Sequence, residues 1–210
     1  MNFNQYKEVT YSFDSNFSLN LSSSQNSDIS KFKLIPVGAW LLDYESLIEK
    51  MVFIRDENSQ FFFQRFQPST EGMRKYLTGP IFDDKRILLM IFSQDGRAFG
   101  HMGMKLLSGS SLEIDNVMKL EAGLPGLMTE SFTHMLSWAD HISGGIEMRA
   151  QVISTNQRAI DFYDSFGFKA TNVINLRAAI SPDGLTSLHD SSPEDSNTGV
   201  TKIIMTRDKS

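Results

Sequence analysis

Two carboxylates lie two residues apart in the segment Leu112–Asn116, where apolar and polar residues alternate. Successive side chains of a strand point to opposite faces, so Glu113 and Asp115 would share one face. Together they could bind a cationic amine, and their mutual repulsion could raise the pKa of one of them towards that of a useful base. His101, on the neighbouring predicted strand, has a suitable intrinsic pKa for the same task. The plainer alternatives are a solvated strand face and a histidine with a structural role.

A second candidate group lies in the segment Asn156–Phe168, whose sequence is N-Q-R-A-I-D-F-Y-D-S-F-G-F. The side chains that recur there at the spacing of one helix face are Ala159, Phe162, Tyr163 and Phe166. Asn156 can cap the first turn of this helix, and Gly167 suits its left-handed end. The phenol of Tyr163 has a proton to give at neutral pH and could protonate a leaving group. The alternative is that Tyr163 only packs beside the phenylalanines.

Alternating stretches of strand and helix pattern surround these two groups and must position them. From Lys31 to Arg207 they follow the order β-α-α-β-β-β-α-β-α-β-β, which predicts a mixed α/β (α+β) domain. We assign this domain to residues 31–210, with a flexible polar insertion at 181–199. Period-two apolarity in Val9–Leu21 predicts a β-hairpin, so residues 1–30 would form a hairpin and a polar linker.

Composition and charge exclude several classes of function. The chain has 210 residues, of which 40% are hydrophobic and 21% charged, as expected for one folded domain. A net charge of -5 without a basic stripe gives no support for nucleic-acid binding. The absence of cysteine excludes disulfides, thiolate metal sites and a cysteine nucleophile. His134 and His141 are two helical turns apart, too far to share a metal ion, so we expect no metal site.

The location of the protein is suggested only by what the sequence lacks. No apolar run is long enough to span a bilayer, and the first residues lack the basic-then-apolar pattern of a signal peptide. We therefore expect a cytoplasmic protein without a membrane partner. The N-terminal hairpin or a sheet edge could mediate a homodimer.

The Asn-capped helix with Tyr163 one turn before its Gly-Phe exit resembles the fourth helix of the GCN5-related N-acetyltransferases (GNAT). The order of elements between Lys31 and Arg207 resembles this family as well. The resemblance implies the GNAT fold: a central sheet of about seven strands with four helices, splayed between the fourth and fifth core strands. It also implies acetyl-CoA as acyl donor, direct attack by an acceptor amine, and Tyr163 as the acid. Asn156 would contact the pantetheine arm of CoA.

The resemblance further implies where the rest of CoA binds. The pantetheine amides would pair with the backbone of Val117, Met118 and Lys119, and N–H groups near Met118 would stabilise the oxyanion. The family's phosphate loop, Q/R-x-x-G-x-G/A, has its last position at Gly126, but Leu124 replaces the middle glycine and Glu121 replaces Gln or Arg. The residues expected around the diphosphate are Gly123, Leu124, Gly126 and Leu127.

The acceptor would bind near a cluster of aromatic and basic residues. Its expected contacts are the aromatic and basic residues Phe63, Arg65 and Phe66, which could instead be core residues between helices. The resulting hypothesis is N-acetylation of a small-molecule amine such as an amino sugar. Two alternatives are acetylation of a protein or peptide N-terminus and a non-catalytic domain that binds acyl-CoA.

Overall fold

The computed structural model describes residues 18–65, 68–81, 85–107, 111–182 and 184–207. The predicted N-terminal hairpin lies almost entirely outside these ranges. Its last residues form the short strand β1 (Leu19–Asn20), which pairs antiparallel with β2 (Phe32–Pro36). The homodimer expected through the hairpin stays a prediction.

Nine strands of the described residues form one mixed sheet, two more than the sequence predicted. After β1 and β2 come β3 (Arg86–Ser93), β4 (Ala98–Leu106), β5 (Ser111–Lys119), β6 (Glu147–Ile153), β7 (Lys169–Ile180), β8 (Thr186–Ser191) and β9 (Thr201–Arg207). Their spatial order is β1-β2-β3-β4-β5-β6-β9-β7-β8. The pair β5–β6 is parallel, and the other neighbouring pairs are antiparallel. The mixed sheet expected from the sequence is therefore confirmed.

Four α-helices of the described residues pack on this sheet, as predicted. They are α1 (Glu45–Glu57), α2 (Thr70–Tyr76), α3 (Leu127–Ser143) and α4 (Gln157–Ser165). Helix α2 begins where the Ser69 hydroxyl accepts a hydrogen bond from the N–H of Gly72 at 3.0 Å. None of the helices in these residues is both long and apolar enough to cross a bilayer.

The core consists of two layers, one on each face of the sheet. Ile87, Leu89 and Ile91 of β3 point into the layer beneath α3 and α4. Leu88 and Met90 point into the other layer, beneath α1 and α2. A strand covered on both faces needs an uninterrupted apolar sequence, which explains the continuous run in this segment.

Strand β8 corrects the prediction of a flexible insertion over 181–199. Six residues there form a regular strand that pairs with β7 along its whole length. The strand also carries Asp190, whose carboxylate accepts hydrogen bonds from the buried ammonium of Lys202 in β9 at 2.5 and 2.8 Å. The segment is polar because β8 is an edge strand with a partly exposed surface. Its polar and apolar residues do not alternate clearly, so no period-two pattern indicated a strand there.

Candidate active site

The parallel strands β5 and β6 separate partway along their length. Their pairing runs from Ser111 opposite Glu147 to Ile114 opposite Ala150 and stops there. Just beyond, Asn116 adopts a left-handed backbone conformation with φ of 50°, which asparagine tolerates better than most residues. The register between β4 and β5 also shifts next to this point, between His101 and Gly103. The predicted splay between the fourth and fifth core strands is therefore confirmed.

A cleft of about 680 Å³ opens where the two strands part. We call its first part the strand gap, lined by Val117, Met118, Lys119, Val152, Ile153 and Asn156. We call its second part the acceptor end, lined by Arg55, Phe61, Phe62, Phe63, Tyr76 and Asn116. Glu113, Asp115 and Tyr163 also line this cleft, so it collects the main chemical groups singled out in the sequence.

Tyr163 reaches the cleft from α4 with most of its side chain buried. Its residue is 7% exposed, and its ring lies 5.8 Å from that of Phe132 and 5.6 Å from that of Phe168, measured between centroids. Burial raises the pKa of the phenol above its usual value, and the negative charges of Asp115 and Glu113 raise it further. The hydroxyl therefore keeps its proton at neutral pH, as a proton donor must.

The two carboxylates of β5 have different surroundings. Glu113 is partly exposed and accepts a hydrogen bond from the side-chain amide of Gln151 in β6 at 2.6 Å. Asp115 is ion-paired with Arg86 of β3, and its side chain is only 18% exposed. Burial raises the pKa of Asp115, although the neighbouring Arg86 acts in the opposite direction. The second oxygen of Asp115 is buried without a hydrogen-bond partner among the described residues.

His101 does not lie in the cleft, and its prediction as a base was wrong. The residue is buried, and its Nδ1–H donates to the carbonyl oxygen of Asn116 at 2.7 Å. Burial lowers the pKa of His101 to about 4, so the ring is neutral at pH 7. Its contact supports the backbone of Asn116, which is a structural role.

The predicted phosphate loop is largely part of the core. Leu127 is buried, Leu124 packs against the same core, and a Cβ on Gly123 would lie 2.9 Å from Leu127 and 3.0 Å from Phe99. Neither these residues nor Gly126 line the cleft, and the expected approach of their backbone to the diphosphate stays a prediction. Gly126 is exposed at the start of α3, with φ of 81°, and backbone contacts there stay a prediction.

Glu121, which departs from the family pattern, has a structural explanation. Its carboxylate forms ion pairs with Lys50 of α1 and Arg97 of the β3–β4 turn. Two cations therefore compensate the negative charge of Glu121, and the two ion pairs connect the loop to α1 and to the β3–β4 turn. The glutamate supports the position of the loop.

At the acceptor end, one of the three predicted residues lines the cleft. Phe63 does so, Arg65 is exposed beside a separate crevice, and Phe66 lies outside the described residues. The sequence analysis missed Arg55 of α1 and Tyr76 of α2. The guanidinium carbon of Arg55 lies 3.9 Å from the ring centroid of Phe62 and 4.5 Å from that of Tyr76.

A signal for Arg55 was present in the sequence. Leu47, Ile48 and Met51 form the buried face of α1, and Arg55 lies one turn further along that face. A charged residue on the apolar face of a helix indicates either a buried ion pair or a ligand-binding site. No group of three or more histidine, aspartate or glutamate side chains in the described parts of the chain could hold a metal ion.

Solved structures with the same arrangement of elements provide the comparison. A RimL ribosomal L7/L12 α-N-protein acetyltransferase in complex with coenzyme A aligns with a TM-score of 0.64 at 12% identity, covering 92% of this chain and 98% of that one. A probable acetyltransferase of the GNAT family from Chromobacterium violaceum aligns with a TM-score of 0.61 at 14% identity, covering 84% and 86%. This chain has the GNAT acetyltransferase fold.

A further GNAT-like structure is the acetyltransferase from Salmonella typhimurium that modifies the N-terminal serine of ribosomal protein L7/L12. It aligns with a TM-score of 0.64 at 13% identity, covering 86% of this chain and 96% of that one. No family model and no curated protein sequence matches the chain. At such low identities the likeness concerns the fold alone.

Proposed function

We propose that this protein is an N-acetyltransferase that uses acetyl-CoA and transfers the acetyl group directly to an acceptor amine. The observation that carries the proposal is the cleft itself. Within it, the unpaired edges of β5 and β6 lie next to a buried phenol and two carboxylates. These are the groups needed to hold a linear amide-containing arm, to accept a proton and to donate one.

The strand gap fits the pantetheine arm of CoA. Beyond Ile114 the edge of β5 has no partner in β6, so its backbone groups can form hydrogen bonds with a ligand that lies between the strands. Asn156 uses its side-chain oxygen to cap α4, accepting from the N–H of Ala159 at 3.2 Å, which fixes the side chain beside the gap. The exposed residues Lys119 and Arg158 at the cleft could attract phosphate groups. When bound, acetyl-CoA supplies the activated acyl group.

Glu113 is the better candidate for the general base. The amine must lose a proton, and a partly exposed carboxylate can accept it and pass it to water. Asp115 is less suitable because its side chain is only 18% exposed and is held in an ion pair with Arg86. Tyr163 would donate its proton to the leaving sulfur, and the backbone near Met118 would stabilise the oxyanion.

A small-molecule amine, for example an amino sugar, fits the acceptor end better than a protein chain does. Strand β8 extends the sheet towards the segment that carries the phenylalanines: the N–H of Leu188 donates to the carbonyl oxygen of Phe63 at 2.7 Å, and the N–H of Arg65 donates to that of Thr186 at 3.3 Å. These bonds fix the segment that carries Phe63 at one side of the acceptor end, and we take this fixed wall as favouring a small acceptor. The ribosomal-protein acetyltransferases among the similar structures keep the peptide hypothesis as the alternative.

Titration of the protein with acetyl-CoA and with CoA in a thermal-shift experiment tests the cofactor, and a thiol-release assay with a panel of amines tests the reaction. We expect stabilisation by both nucleotides and amine-dependent release of CoA. Stabilisation without turnover of any amine would favour a non-catalytic acyl-CoA-binding domain. No stabilisation would contradict the proposed cofactor.

A further inference from the structure

The side chain of Gln151 bridges β5 and β6 at the point where the two strands begin to separate. Backbone pairing between them ends with Ile114 opposite Ala150, so Gln151, the following residue of β6, has no backbone partner in β5, a strand that the structure describes in full. On its other side Gln151 pairs with Ile204 of β9, which fixes the backbone of the glutamine. Its Nε2 donates to Oε2 of Glu113 at 2.6 Å. A side-chain hydrogen bond therefore joins the two strands where their backbone ladder ends.

Glu113 is held by this neutral amide although two cationic residues lie opposite it in the sheet. Lys105 of β4 and Arg149 of β6 are its register partners. Among the described residues neither of them forms an ion pair with Glu113, and Arg149 pairs with Glu147 instead. Neither of them lines the cleft, whereas Gln151 does. The partner that Glu113 has inside the cleft is thus an uncharged N–H donor.

The other carboxylate of β5 has the opposite arrangement. Asp115 is paired with the guanidinium of Arg86, which is a permanent positive charge. A charge-assisted bond of this kind is strong and occupies the carboxylate. A neutral amide instead orients a carboxylate without supplying a positive charge, so the carboxylate can still bind a cationic amine. The two partners therefore suit Asp115 and Glu113 to different tasks.

The hydrogen bond from Gln151 occupies one oxygen of the Glu113 carboxylate. Oε2 accepts it, and Oε1 has no hydrogen bond to any residue within the described ranges. A glutamate side chain has several rotatable bonds, and an unrestrained one samples many rotamers. Few of these rotamers would keep Oε1 within hydrogen-bond distance of an acceptor amine, as a general base requires.

We infer that Gln151 positions the general base: its amide holds Oε2 of Glu113 so that Oε1 is presented to the acceptor amine. This inference rests on the proposed function of the cleft. It gives β6 a part in proton transfer in addition to its backbone edge in the strand gap. Gln151 acts through Glu113, so it is a positioning residue.

Gln151→Met tests this role, because methionine has a similar length and no N–H donor. We expect kcat to fall roughly 10-fold, since the base is present but less well oriented, with the KM for acetyl-CoA unchanged. Acetyl-CoA should stabilise the variant as it does the wild type. The matched control is Gln94→Met, at an exposed glutamine in the β3–β4 turn, which should keep the wild-type rate. A wild-type kcat in Gln151→Met would overturn the inference and leave the proposed function intact.

A double-mutant cycle separates positioning of the base from a general structural effect. If Gln151 acts through Glu113, adding Gln151→Met to Glu113→Gln should cause no further loss of kcat, because the base is already absent. A second loss of roughly 10-fold would show that the two residues act independently, and it would overturn the inference.

Gln151→Glu provides a second variant and a pH readout. It keeps the shape of the side chain, removes the N–H donor and places another carboxylate beside Glu113. Two adjacent carboxylates retain a shared proton up to higher pH than a single one does, so the rise of kcat with pH should move to higher pH than in the wild type. An unchanged pH profile would overturn the inference. Loss of stabilisation by acetyl-CoA in both Gln151 variants would overturn it as well, because the glutamine would then support the strand gap and not the base.

Discussion

The strand gap and the acceptor end of the cleft are built in different ways. The strand gap is formed by the backbone of two neighbouring strands that separate, together with the start of the helix that follows the second one. The acceptor end consists of side chains from α1, the α1–α2 connection, α2 and β5. The first is a property of the fold, whereas the second depends on individual residues. Acceptor specificity can therefore change while the cofactor site is retained.

The largest effect is expected where the two regions meet, at Tyr163. Replacing it with phenylalanine removes the proton donor and keeps the packing on Phe132. We expect the rate of thiol release to fall by roughly 10²- to 10⁴-fold. Stabilisation by acetyl-CoA should be unchanged. The control is Tyr44→Phe, since that tyrosine is 56% exposed; a wild-type rate in Tyr163→Phe would remove the phenol from the chemistry.

Loss of the negative charge should lower activity at Glu113 and stability at Asp115. Glu113→Gln should lower turnover by roughly 10²-fold, as expected on loss of a general base, with little change in melting temperature. Asp115→Asn should cost roughly 1.5–3 kcal/mol of stability, because the charged hydrogen bond with Arg86 would be lost in a mostly buried position. Turnover and urea unfolding measured on both variants separate the roles. A stable Asp115→Asn without activity, beside a fully active Glu113→Gln, would reverse the assignment.

A smaller effect, confined to the strand gap, is expected from Gly100→Ala. A Cβ there would lie 2.7 Å from the carbonyl oxygen of Met118 and 2.9 Å from the sulfur of Met128. The displaced backbone should weaken acetyl-CoA binding by roughly 10- to 100-fold, since shifts of about 1 Å have effects of this size. Isothermal titration measures the change, and Gly79→Ala, where a Cβ meets nothing within 4 Å, is the control. Unaltered affinity would show that this part of β5 does not contact the cofactor.

The smallest effect on the reaction, none at neutral pH, is expected at His101, which affects stability instead. His101 has its pKa lowered to about 4 in the fold, compared with about 6.5 in the unfolded chain. Below pH 6.5 the unfolded chain binds a proton that the folded chain does not, so stability should fall by up to about 3 kcal/mol as the pH decreases to 4. Urea unfolding across this range measures the loss. His101→Asn should reduce the slope, whereas a change at the exposed His141 should not; equal slopes in all three proteins would contradict the assignment.

The sequence allowed the strand gap to be predicted because its signals are local. The Asn156 cap, the stripe through Tyr163 and the Gly167 exit lie within one short segment, and the structure has that helix between the expected strands. The alternation in Leu112–Asn116 likewise predicted that Glu113 and Asp115 share one face of a strand, and both line the cleft.

The acceptor end could not be predicted in the same way because its residues meet only through tertiary contacts. Arg55 and Tyr76 lie on different helices, and β8 bonds to the segment around Phe63 across more than a hundred residues of sequence. The loop before α3 matches the family pattern only at Gly126, and the structure adds that Leu127 and the space around Gly123 are packed against the core. His101 was misjudged because its burial is not visible in a single sequence.

A crystal structure of the protein with CoA would test the function of the strand gap most directly. We expect the pantetheine arm to lie between β5 and β6, bonded to the backbone of Val117–Lys119, with the sulfur within about 3.5 Å of the Tyr163 hydroxyl. CoA bound elsewhere on the molecule, or the two strands closing over an empty gap in its presence, would contradict the proposed chemistry.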